Sequence, residues 1–209
     1  MSTAIAFTLG ALAALLVAEY AESPLGVWTA KPLASTGFLL VALSAGALDA
    51  GAYGYAVLSA LLLSWWGDIF LIPRGRPAIF RMGILSFLLG HVAYVVAFVG
   101  LGVAPGSAAL SGCVLIGPVV VLLRWLRPRV PSDMLIPVYA YVSVISAMLI
   151  CATGASVTTG NPRLLLGAAM FYVSDLAVAR DRFVAPGFSN RAWGLPLYYG
   201  GQLVLATTV

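Results

Sequence analysis

The chain reads as an all-α polytopic membrane protein, a bundle of eight transmembrane helices. Three observations predict this. Hydrophobic residues fill 62% of the 209 positions and charged residues only 9%. The mean hydropathy is +1.03, more apolar surface than a water-soluble core needs. The apolar residues also fall in runs of roughly 17–22, each long enough to cross a hydrocarbon core of about 30 Å.

Taken in order, the runs place helices at about 3–21, 32–48, 53–72, 80–100, 107–125, 132–153, 163–180 and 192–208. The first has no Lys or Arg ahead of it and continues to about Tyr20, so it reads as a membrane helix rather than a signal peptide. Glu22-Ser23-Pro24 follows it, and Lys31-Pro32 reads as the opening of the second helix. Asp49-Ala50-Gly51 ends the second and Pro73-Arg74-Gly75-Arg76-Pro77 the third. Val103-Ala104-Pro105-Gly106, Pro128-Arg129-Val130-Pro131, Gly160-Asn161-Pro162 and Pro186-Gly187 separate the rest. Gly and Pro in such pairs stop helices and turn the chain. No connection is long enough to fold separately and no strong internal repeat is present, so residues 1–209 read as one transmembrane domain.

Ten of the eleven Lys and Arg residues lie at the first, third, fifth and seventh connections or the helix ends beside them; Arg163 alone lies on the other side. That asymmetry predicts that the odd connections are cytoplasmic and both termini outside, in a cell (inner) membrane. The net charge of +4 is therefore a topology signal and not a nucleic-acid footprint. Cys113 and Cys151 sit inside apolar runs and read as small core residues, not as a disulfide or metal ligands.

Against this background two aspartates stand out. Asp175 lies in Gly167–Leu176 of the seventh run, and Asp68 in Ser64–Leu71 of the third. A charge at membrane depth costs roughly 2.5–3.5 kcal/mol on insertion scales, so such residues are functional candidates. With the helix ends above, both lie roughly 6–8 Å below the same, cytoplasmic interface. Lys31 belongs to that half of the membrane. So do His91 and Tyr94, three residues apart on the fourth helix, and Tyr198, Tyr199 and Gln202 on the eighth. The convergence predicts one pocket open toward the cytoplasmic leaflet.

Each residue also has a plainer reading. Asp68 pairs with a loop arginine such as Arg74, and Asp175 with Arg180 or Arg182. His91 is a packing residue, Tyr198 and Tyr199 are belt aromatics, and Lys31 snorkels to the interface. Trp65 and Trp66 pack or join the belt, Glu19 and Glu22 are solvated helix ends, and Gly90, Gly167 and Ala168 permit close helix approach. One histidine is too few for a typical hydrolytic zinc site, and Gly-x-Ser-x-Gly elbows and phosphate-cradling Gly-rich loops are absent. Carboxylate acid–base chemistry is left, in which one aspartate carries a proton while the other stays ionised.

Five motifs, in order and spanning nearly the whole chain, resemble the lysoplasmalogenase-type (YhhN-like) family of multispanning membrane proteins. They are Lys31-Pro32-Leu33; Gly67-Asp68-Ile69-Phe70-Leu71; Gly83, Phe87, His91 and Tyr94; Gly167-Ala168 through Phe171, Ser174 and Asp175; and Tyr198-Tyr199 with Gln202. The resemblance implies hydrolysis of the vinyl-ether bond of lysoplasmalogens to a fatty aldehyde and a glycerophospho-base, with a lysophospholipid substrate drawn from the membrane. Such hydrolysis needs a proton donor, a nearby negative charge and a positioned water, much as glycosidases meet an oxocarbenium-like transition state with two carboxylates. Asp68 and Asp175 are expected to share the acid and base roles. His91, Tyr94 and Gln202 are expected to orient water or the glycerol oxygens, and Lys31 with Tyr198 or Tyr199 to meet the phosphate. No metal or organic cofactor is required. Two other readings compete: a hydrolase of another lysolipid bond, and a proton- or cation-coupled transporter. The crowding of polar groups into one membrane half, without paired broken helices, argues against the transporter.

Overall fold

The computed structural model describes residues 1–209. It contains eight α-helices and no strand: α1 (Ser2–Tyr20), α2 (Pro24–Ser44), α3 (Gly51–Leu71), α4 (Pro77–Gly100), α5 (Pro105–Leu126), α6 (Leu135–Thr159, led by a 3-10 turn at Ser132–Met134), α7 (Pro162–Phe183) and α8 (Phe188–Ala206). The first seven are long and apolar enough to cross a membrane. The chain is an integral membrane protein.

Local sequence explains the starts. Proline opens α2, α4, α5 and α7, where its missing N–H has no intrahelical acceptor to lose. Ser23 caps α2 through the Gly26 N–H, and Asn161 caps α7 through the Arg163 N–H. Gly160 closes α6 at φ 68°, a left-handed cap that favours glycine.

One expected boundary is wrong in a way that matters. The second helix opens at Pro24, not at residue 32, and Lys31-Pro32 lie inside it. Pro24 behind the Ser23 cap is the true start signal. Pro32 forfeits one backbone hydrogen bond within the helix, a loss that neighbouring helices and hydroxyls offset in membrane proteins. The Thr36 hydroxyl meanwhile donates to the Pro32 carbonyl at 2.8 Å. Lys31 thus stands about two turns into α2.

Seven helices close a ring in the order α1, α2, α3, α4, α6, α7, α8 and back to α1. Helix α8 also reaches α2 and α3, so it leans toward the middle and needs less apolar surface than a lipid-facing helix. Its buried residues include Asn190, Tyr198, Tyr199 and Gln202. Helix α5 stands outside the ring, packed chiefly on α6, with Leu126 its only buried residue. Close approach within the ring depends on glycine. A Cβ on Gly67 would sit 2.6 Å from the Phe87 ring, and one on Gly201 would sit 2.9 Å from the Gly167 carbonyl. These contacts draw α3 onto α4 and α8 onto α7.

Candidate functional site

A cavity of about 420 Å³ lies at the bundle end that carries the first, third, fifth and seventh connections. Its lining is mostly apolar, with polar groups converging from α1, α2, α3, α6, α7 and α8.

Asp68, one residue after the close-packed Gly67, projects from α3 into this cavity with a side chain only 3% exposed. Lys31 Nζ lies 3.3 Å from its Oδ1. The Ser35 hydroxyl donates to Oδ2 at 2.6 Å and the Tyr198 hydroxyl at 2.7 Å. Ser35 follows Lys31 by four residues, so both face α3 from one side of α2. Tyr199 Oη lies 3.0 Å from Ser35 Oγ. With one hydrogen per hydroxyl, Ser35 donates to Asp68, and Tyr199 donates either to Ser35 or to the Lys31 carbonyl at 3.3 Å. Every group around Asp68 is a donor, the shell of an ionised carboxylate.

Asp175, on α7, has a thinner shell. The Tyr141 hydroxyl of α6 donates to its Oδ2 at 2.6 Å. His91 Nε2 lies 3.8 Å from the same oxygen, beyond a hydrogen bond. His91 is fully buried. Neither of its ring nitrogens makes a hydrogen bond of good geometry, although the Phe87 carbonyl one turn back offers loose support. The ring packs edge-on to Tyr141 at 5.2 Å and against Phe171 at 4.6 Å. Phe171 meets Tyr198 at 5.2 Å, so aromatic rings run unbroken from the partner of one aspartate to the partner of the other.

The structure brings Asp68, Asp175, Lys31 and Tyr198 into the lining of one cavity. His91 and Tyr199 stand behind the two aspartates, and Tyr94 with Gln202 lies apart from the cavity. The Tyr94 hydroxyl donates to Gln202 Oε1 at 2.7 Å, and the Gln202 amide nitrogen is buried without a partner. Several plainer pairings do not occur. Asp68 bonds Lys31 and not Arg74, while Arg74 reaches Glu19 at 3.4 Å. Asp175 bonds neither Arg180 nor Arg182: Arg180 pairs with Asn190, and Arg182 donates to the Leu71 carbonyl at 2.6 Å. Glu19 is no solvated end, because Arg191 Nη1 holds it at 3.0 Å. The two aspartates also differ in depth. Asp68 comes three residues before the end of α3, whereas Asp175 comes eight before the end of α7, which runs on to Phe183.

Ser35, Tyr141, Glu19, Arg182 and Arg191 were not singled out from sequence as site residues. The four-residue step from Lys31 to Ser35 was the one signal available for Ser35. Tyr141 carries none, because hydroxyls are ordinary in membrane helices. No three His, Cys, Asp or Glu side chains converge closely enough to hold a metal ion.

A shallower groove of about 400 Å³ flanks the cavity on the outer side of the ring, between α5 (Pro118, Val121, Leu122, Trp125) and α7 (Tyr172, Leu176). Leu122, Tyr172 and Leu176 line both spaces, so the groove adjoins the cavity beside α5.

Fold and site together define a helical integral membrane protein whose carboxylates face a mostly apolar cavity. The YhhN family model matches residues 26–209, and the chain belongs to the YhhN family. It is 30% identical over 166 residues to Lysoplasmalogenase TMEM86B of Sus scrofa, covering 78% of this chain and 67% of that protein. It is 31% identical over 158 residues to the Homo sapiens protein of the same name, covering 74% and 63%. To the Lysoplasmalogenase of Mycobacterium tuberculosis (strain CDC 1551 / Oshkosh) it is 31% identical over 168 residues, covering 77% and 61%. The chain thus spans between 61% and 67% of the length of these relatives. No solved structure matches it.

Proposed function

We propose that the protein is a lysoplasmalogenase: a membrane hydrolase that cleaves the vinyl-ether bond of lysoplasmalogens to a fatty aldehyde and a glycerophospho-base. Family membership and the three lysoplasmalogenase relatives support the activity. The observation that carries the mechanism is the pair of carboxylates on one cavity, one saturated with donors and one not.

Hydrolysis begins with protonation of the β-carbon of R–CH=CH–O–R′, giving the oxocarbenium ion R–CH2–CH=O⁺–R′. Water adds to its α-carbon, and the resulting hemiacetal collapses to R–CH2–CHO and HO–R′. Asp175 suits the acid. Only Tyr141 donates to it, so a proton on its carboxyl has a place to reside and a face toward the cavity. Asp68, bound by Lys31, Ser35 and Tyr198, stays ionised and supplies negative charge to the oxocarbenium ion and a base for the water. Asp68 takes a proton from the water as it adds; on collapse it passes that proton to the departing glycerol oxygen, while the hemiacetal hydroxyl gives its proton to Asp175, closing the cycle. His91, beside Asp175, fixes the face from which the acid approaches. The alkyl chain lies along the apolar groove between α5 and α7. The odd connections face the cytoplasm, so the substrate enters from the cytoplasmic leaflet of the cell membrane.

The test is aldehyde release from choline and ethanolamine lysoplasmalogens by purified protein, with Asp175→Asn alongside. Release by wild type and not by the variant is expected. A folded wild type that releases no aldehyde from either lipid would overturn the proposed reaction.

A further inference from the structure

Lys31 was the cation expected to meet the substrate phosphate, but it is engaged by Asp68 at 3.3 Å. Four cations line the cavity: Lys31, Arg74, Arg182 and Arg191. Arg74 and Arg191 share Glu19, and Arg191 also lies 3.6 Å from Asp181. Arg182 alone has no carboxylate within salt-bridge distance. Its guanidinium is nonetheless held in place, one nitrogen donating to the Leu71 carbonyl at 2.6 Å and the carbon 5.0 Å from the centre of the Phe80 ring. The remaining N–H groups form a preset fork of the kind that binds phosphate oxygens in pairs.

Among the anions one residue is likewise without a partner. Five carboxylates line the cavity: Glu19, Glu22, Asp68, Asp175 and Asp181. Glu19 and Asp68 are ion-paired, Asp175 receives Tyr141, and Asp181 receives the Gly187 N–H and Asn190. Glu22 has neither a cation nor a hydrogen-bond donor. It is also the one non-glycine residue with positive φ, at 51°, a left-handed conformation that glycine or asparagine would hold at lower cost. The mouth thus presents one uncompensated cation and one uncompensated anion. A phosphodiester joined to an ammonium has the matching pattern.

We propose that Arg182 binds the phosphodiester of the lysolipid headgroup and Glu22 binds its ammonium, so that the cavity mouth selects zwitterionic headgroups. This inference rests on the hydrolase reading above for the lipid class, and its test separates the two. Three vinyl-ether substrates are compared: an ethanolamine lysoplasmalogen, the corresponding alkenyl-glycerol phosphate without the amine, and the alkenylglycerol without phosphate. Arg182→Ala is expected to raise KM about tenfold for both phosphate lipids, and to leave KM for alkenylglycerol and all kcat values within about twofold. Glu22→Gln is expected to raise KM a few-fold for the ethanolamine lipid alone, and its exposed position leaves the fold intact. Arg182→Lys should restore part of the affinity, since it keeps the charge and loses the fork. An Arg182→Ala effect equal on all three substrates, or absent, overturns the assignment of Arg182; an unchanged Glu22→Gln overturns that of Glu22. Equilibrium binding of the matching saturated alkyl-ether lysolipids, which contain no vinyl ether, reads the same preferences without turnover. Headgroup-selective binding with no aldehyde from any substrate would leave the headgroup site standing and remove the hydrolase reading. Binding indifferent to the headgroup in wild type removes the headgroup site.

Discussion

Asp68 is held from three directions, by Lys31 and Ser35 of α2, by Tyr198 of α8 and by its own place beside Gly67. Asp175 hangs on Tyr141 alone. Their substitutions should therefore fail differently. Asp175→Asn is expected to lower turnover about 10²–10⁴-fold, the usual worth of a positioned acid, with little change in melting temperature. Asp68→Asn is expected to lose turnover and also about 3–5 kcal/mol of stability, because it strands Lys31. Adding Lys31→Met should recover much of that stability and none of the turnover; a double variant as unstable as the single would show that the ion pair is not the source of the loss. Tyr141→Phe should reduce kcat more than it changes KM, measured by aldehyde release. The two aspartates were legible in the sequence because a carboxylate interrupts an apolar run. Their partners were not, since a serine or tyrosine in a membrane helix breaks no pattern. Glu19 was misjudged for a related reason: a charge near a helix end reads as solvated, whereas here Arg191 of α8 meets it at 3.0 Å.

Element lengths and order follow closely from the apolar runs, because membrane thickness imposes one length and Pro or Gly marks most ends. The exception, α2, shows the limit of proline as punctuation: Pro24 and Pro32 are both plausible starts, and only the Ser23 cap and the packing of Lys31 and Ser35 against α3 distinguish them. What no run can show is which helices touch. The α7–α8 seam is set by Gly167 and Gly201 approaching backbone to backbone. Gly201→Ala must push the two helices apart and is expected to cost roughly 1–3 kcal/mol in a thermal or denaturant melt in detergent. Gly117→Ala, with nothing within 4 Å of the added methyl, should be neutral or raise stability by up to about 1 kcal/mol. Equal effects from the two would disprove that the seam depends on glycine.

The molecule as a whole is a ring closed by α8 against α1, with polar groups gathered at one end and a solid layer behind them that includes Phe38, Tyr94, Phe98 and Tyr199, all fully buried. If α8 completes an eighth crossing, labels attached at Met1 and Val209 should be accessible from the same, non-cytoplasmic side of sealed vesicles; accessibility from opposite sides would leave seven crossings. Helix α5, outside the ring, has a consequence for kinetics. A groove that opens toward the bilayer along α5 presents the enzyme with a two-dimensional solution of substrate, so the rate should track mole fraction within the membrane rather than molarity in the buffer. Diluting the substrate with inert phospholipid at constant total amount should slow the reaction. The two products then part by phase: the aldehyde stays with the lipid, the glycerophospho-base leaves into water, and each departure keeps the other from reversing the cleavage.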